Sequence, residues 1–172
     1  MAQLEKSVAR GEMQRYKILT LVYGYHAQGR AEYLLGNFAA AEHCEVKAAQ
    51  ARNTAGAGAI DDHRQLDEIL TWLALAQVRQ GNLSGAAQTI TPVVRSQREL
   101  AARNRGDRWQ PYELARALYV QALTDPVRRA ALLHEAAGLI DALPSEIRAV
   151  RDVQRWRTRI YEAQRNGGSH GA

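Results

Sequence analysis

One short pattern returns three times along the chain and constrains its fold more than any other feature. It reads Gly36-Asn37-Phe38-x-x-Ala41 with Ala48, then Gly81-Asn82-Leu83-x-x-Ala86 with Val93, then Asp125-Pro126-Val127-x-x-Ala130 with Ala137. The spacing is about 44 to 45 residues, a period of stacked helical repeats, in which each unit buries its apolar face against its neighbours. A sheet has little to be built from. The 172 residues are 46% hydrophobic but include one Phe and four Pro, and runs of alternating β-branched residues are almost absent. The expected fold is all-α.

Between the recurring turns, apolar residues fall at spacings of three and four, the helical period. A first helix is expected over 13–35, with Ile18, Leu19, Val22, Tyr25 and Tyr33 inward. Gly36-Asn37 ends it, since a chain leaves a helix most readily through a left-handed residue that glycine adopts without strain. A second helix over 38–52 buries Phe38, Ala41, Cys44 and Ala48 and turns Glu42 and Glu45 to water. Residues 53–58 read as a loop. A third helix runs from Asp61 or Asp62 to Gln80, and a fourth covers 83–103 with Pro92 expected to kink or split it. A fifth covers 111–123. Asp125 caps the sixth, which runs over 127–143 with Pro126 at its first position. Ser145 is the expected N-cap of a seventh, running to about Arg165.

These helices give a domain over 13–165, with repeats at about 13–58, 59–106 and 107–143 and a capping helix at 145–165. Residues 1–12 and 166–172 are expected to be flexible. Cys44 is the only cysteine, which excludes an internal disulfide and makes a reducing compartment, the cytoplasm, the expected one. No apolar stretch approaches the roughly 18 to 20 residues of a membrane span.

Chemistry is hinted at and then withdrawn. His134-Glu135-Ala136-Ala137-Gly138 starts like a zinc-protease helix, but its second histidine is replaced by Gly138. The acidic residues around His63 suit a helix N-terminus without any metal. Gly56-Ala57-Gly58 lacks the strand and third glycine of a dinucleotide site. No catalytic residue, metal or cofactor is assigned, and the chain is read as a non-enzyme.

The turn signature resembles the tetratricopeptide repeat, in which two antiparallel helices meet at a tight turn between small residues. Gly29, Phe38, Ala41 and Ala48 match its positions in the first unit; Leu73, Ala74, Leu83 and Ala86 match in the second; Val127, Ala130 and Ala137 match in the third, where Leu118 replaces a small residue. The units are about ten residues longer than the common form. They look like the degenerate repeats of bacterial regulator and sensor proteins. The resemblance implies a right-handed α-solenoid of about three repeats plus a cap, roughly seven helices, that binds a protein or peptide in a concave groove lined by the first helix of each repeat. Mapped by position, the groove would carry Tyr23, His26, Arg30 and Tyr33, then Thr71, Leu75 and Arg79, then Tyr112, Arg116 and Tyr119. Tyrosine and arginine are common binding hot spots. The chaperone-tail clamp needs Asn at positions held here by Arg30, Leu75 and Tyr119, so such tails are not the expected ligand.

A formal net charge of +5, almost all from arginine, permits contact with an acidic peptide or a nucleic acid without demonstrating either. A second surface follows from the last helix, where Arg148, Arg151, Arg155 and Arg159 form a stripe beside the apolar Ala149, Val153, Trp156, Ile160 and Ala163. That stripe would serve phosphate or nucleic acid, the weaker expectation. The first helix has no preceding repeat to cover it, which suggests a homodimer through that face. The expected function is a non-catalytic interaction scaffold.

Overall fold

The computed structural model describes residues 15–55 and 60–167. Expectations for the segment 1–12, the start of the first helix at Met13, the Gly56–Gly58 part of the loop and the tail from Gly168 onward lie outside the described residues. Helices account for the described structure and no strand occurs among these residues. The elements are α1 (Arg15–Leu34), α2 (Phe38–Thr54), α3 (Ile60–Arg79), α4 (Leu83–Arg103), α5 (Gln110–Thr124), α6 (Arg129–Asp141), α7 (Ser145–Arg148) and α8 (Arg151–Gly167). They fall into two compact units that divide after Asn82, inside the expected second repeat.

In the first unit α1 and α2 pack as a hairpin, and α3 packs on α2. Its apolar core joins Leu21, Val22, Tyr25, Ala48 and Ile69, with Ile18, Ala49 and Ala51 against it. The hairpin closes through Gly36 at φ +85°. The Gly36 amide donates to the Tyr33 carbonyl (3.1 Å) and the Asn37 amide reaches back to that of Glu32 (2.9 Å). This pair of bonds is the Schellman arrangement, which satisfies carbonyls that the helix end leaves open. Asn37 makes no cap bond to α2; its side-chain amide donates to Glu32 Oε2 at 2.8 Å. Gly81 (φ +80°) and Asn82 repeat the two backbone bonds to Val78 and Gln77 at the end of α3. The first two copies of the signature are thus one backbone device.

In the second unit α5 is the central helix, packed against α4 and α6 and touching α8, while α6 packs on α8. Ten of its fifteen residues are buried, including Leu114, Ala115, Ala117, Leu118 and Val120. Its turn into α6 uses a different device. The Asp125 carboxylate accepts the Arg128 backbone amide at 3.0 Å and the Arg128 Nε at 2.6 Å. Asp125 thus braces the turn of residues 126–128 rather than the helix itself, which starts only at Arg129 with Arg128 at its N-cap, so Pro126 is not the first helical residue.

Three local expectations are corrected. Pro92 does not split α4, which runs unbroken through it; both Pro92 and Gln88, whose carbonyl it cannot bond, are exposed, so water can serve that carbonyl. Ser145 caps nothing, its position being taken by Pro144 with no side-chain cap. The expected seventh helix is broken at Ala149-Val150 into α7 and α8, giving eight helices among the described residues. No helix is long and apolar enough to cross a membrane among those residues.

Candidate functional site

The first helix sends its sequence-predicted site residues in two directions. Tyr23 is exposed, on the same side of α1 as Tyr16 and Leu34; the three stand 64%, 59% and 60% open. Thr20, Ala27 and Ala31 are exposed between them, making one stripe at helical spacing with no charged residue in it.

His26 instead turns inward toward α2 and α3. Its Nδ1 bonds Glu45 Oε2 at 2.8 Å, and its Nε2 lies 3.6 Å from Glu68 Oε1. Arg30 Nη1 lies 3.6 Å from the same Glu68 oxygen. Glu45 is 1% exposed, which corrects the expectation that it faces water. Room for it comes from Gly29: a Cβ there would meet Glu45 Oε1 at 2.7 Å. Burial pulls the imidazole pKa down, but hydrogen bonds and charges from Glu45 and Glu68 outweigh it and raise the pKa to about 9. Burial pushes the Glu45 carboxyl up while His26 draws it back. With that pKa the ring carries both protons at neutral pH, and its Nδ1–H donates to the Glu45 carboxylate.

The rest of the expected groove in this unit closes on itself. Tyr33 is buried, its ring 5.3 Å from Phe38 and 5.4 Å from Trp72. Arg30 lies over Trp72 at 5.1 Å and exposed Arg79 over Phe38 at 4.7 Å, contacts of cation–π type. Thr71 is buried and donates to the Asp67 carbonyl at 2.7 Å, and Leu75 is buried in the core.

The second unit repeats this pattern with other residues. Tyr112 is buried and donates to Asp152 at 2.6 Å. Burial, set against the Arg116 charge and reinforced by Asp152, holds the phenol well above its ordinary pKa. Arg116, 2% exposed, lies between the Tyr112 and Trp156 rings at 5.3 and 5.1 Å and donates to Glu113 at 3.0 Å. Half-buried Tyr119 stands edge-on to Trp156 at 5.7 Å.

An exposed face bearing all the expected binding residues is therefore not present. His26, Tyr33, Thr71, Leu75, Tyr112 and Arg116 are interior, because α1, α3 and α5 turn those positions toward the helices packed on them. Tyr23 and Arg79 are open, and Arg30 and Tyr119 half-open. Sequence reasoning missed Trp72, Glu45 and Glu68, since nothing in their spacing signals a polar centre shared by three helices. On the terminal stripe, Arg151 and Arg155 are exposed and make no hydrogen bond or ion pair among the described residues. Arg148 donates to the Asp141 carbonyl at 3.0 Å, and Arg159 lies over Trp156 at 5.0 Å. Cys44 is buried, as expected of a small core residue, and burial pushes its thiol pKa up. No group of His, Cys, Asp and Glu suited to a metal ion occurs among the described residues. No protein-family model, curated protein or solved structure matches the chain.

Proposed function

We infer that the chain is a non-catalytic interaction module of tetratricopeptide-like construction, which binds a protein or peptide along the open side of α1. The observation that carries this reading is the uncharged stripe of Tyr16, Tyr23 and Leu34, three large side chains each more than half exposed. Large apolar groups held in water on one face mark interaction surfaces, and tyrosine is a favoured anchor there. Two hairpins, α1–α2 and α5–α6, and the twice-used Gly-Asn turn support the repeat construction. Arg30, half-open beside this stripe, favours an acidic group on the partner, whether a different protein or a second copy of this chain.

Peptides selected from a random library against the full chain test the reading. Tyr23→Ala combined with Leu34→Glu is expected to weaken the selected binders by about tenfold or more and to change stability by less than about 0.5 kcal/mol. Selected binders indifferent to both changes would overturn it. A second reading rests on Arg151 and Arg155, whose exposed charges suit phosphate. It requires affinity for a nucleic acid to fall steeply with added salt and to drop when both are replaced.

A further inference from the structure

The second unit contains a pocket that neither the repeat construction nor the α1 stripe explains. It lies between the start of α6 and the end of α8, has a volume of about 390 Å³, and is lined by Pro126, Arg129, Ala130, Leu133, His134, Ala163 and Gln164. That size falls at the lower end of small-molecule sites, roughly 300–1,000 Å³. Leu133 and Ala163 are buried and give an apolar floor. Gln164 fixes one wall by donating its amide to the Leu133 carbonyl at 3.2 Å.

The polar lining has one sign. Arg129 is half-buried, and its Nε is closed from solvent with no hydrogen-bond partner. The Arg129 side chain has no other hydrogen bond, ion pair or ring contact among the described residues. His134 is a second donor at the rim, and no lining residue is acidic. The neighbouring carboxylate, Asp125, is already engaged by Arg128. The guanidinium fork of Arg129 matches the two oxygens of a carboxylate, and no acidic side chain of the lining competes for it. The positive end of the α6 dipole acts in the same direction.

We propose that this pocket takes a single carboxylate carried on a short apolar chain, the carboxylate paired with Arg129 and the chain lying on Ala130, Leu133 and Ala163. A free fatty-acid-like molecule and the C-terminal apolar residue of a peptide present the same chemistry. The site shares no residue with the α1 stripe, so either proposal can fail without the other.

The test is amide NMR of the full ¹⁵N-labelled chain titrated with octanoate, with octanamide, and with a short peptide ending in leucine as the free acid or the amide. Octanoate or the free-acid peptide is expected to give saturable shifts at Ala130, Leu133 and Ala163, and its neutral counterpart to bind about tenfold more weakly. Arg129→Gln is expected to erase that difference, and Ala130→Phe, which fills the pocket and keeps the charge, to abolish binding. Binding of octanoate alone identifies a free ligand and of the peptide alone a chain end; both uphold the site. Equal affinity for acid and amide in the unaltered chain, or no saturable shift with any of the four probes, overturns it.

Discussion

The two units are built from similar hairpins but hold themselves together differently. In the first, α1, α2 and α3 converge on a polar centre, His26, Glu45 and Glu68, next to its apolar core. In the second, α5 is surrounded by aliphatic and alanine contacts, and its one interior cation, Arg116, is held between aromatic rings and by Glu113. A hydrogen-bonded ion pair fixes helix register but leaves stability dependent on protonation, whereas aromatic and aliphatic packing depends on volume. Each unit should therefore fail under a different challenge, one to pH and the other to truncation.

The largest expected effect is truncation in the second unit. Trp156 is 1% exposed and stands against Tyr119, Arg116 and Arg159. Trp156→Ala should cost about 3–5 kcal/mol, the usual range for losing a buried Trp, read from urea denaturation. Hydrogen exchange should show the loss of protection in α5, α6 and α8. A loss below about 1 kcal/mol would mean that α8 is an appendage rather than part of that core.

The next effect belongs to the first unit and appears as a slope. The folded pKa of His26, about 9, lies above its ordinary 6.5, so the folded state holds the proton more tightly. Its contribution is complete below about pH 6.5 and lost as pH rises through about 9, at no more than about 1.4 kcal/mol per pH unit for one proton. The charged groups facing it are Glu45 from α2, Glu68 from α3 and Arg30 from α1. Burial shifts Glu45 in the same sense, while Cys44 and Tyr112, raised from 9.0 and 10.0, act above this window. Urea midpoints for the wild type should decline between pH 6.5 and 9. His26→Gln should be less stable at pH 6.5 and nearly flat across the window; an unchanged slope would remove His26 as its source.

This contrast also marks what was legible in the sequence. The helices and turns were, because they rest on local signals: Gly36 and Gly81 sit at positive φ where the chain must leave a helix, and Asp125 reaches the amide three residues on. The break at Ala149-Val150 was not, since no glycine or proline marks it. Site residues were legible only as types. A helical wheel places Tyr23 and His26 about 60° apart, and which of the two faces water depends on where α2 and α3 lie, information carried by neither residue. Glu45 shows the limit most clearly. Its neighbours read as a solvated helix face, and only the absent side chain at Gly29, one helix away, makes its burial feasible.

Gly29 thus gives the smallest effect and the sharpest discrimination. It lies in the middle of α1 at a buried position, where glycine costs about 1 kcal/mol relative to alanine in an exposed helix. Replacing it by alanine would improve the helix but bring the new Cβ to 2.7 Å from Glu45 Oε1 and 2.9 Å from its Cδ. A free glutamate end would swing away at little cost. This one is buried and tied to His26, so relief means lengthening that bond. We expect Gly29→Ala to lose about 1 kcal/mol net, overpacking outweighing propensity, and to lower the His26 pKa measured by NMR. Adding Glu45→Ala should reverse the sign of the Gly29→Ala effect, a coupling that a double-mutant cycle isolates. If Gly29→Ala alone stabilises the chain with the His26 pKa unmoved, the glycine serves only close helix approach, and the polar centre owes nothing to it.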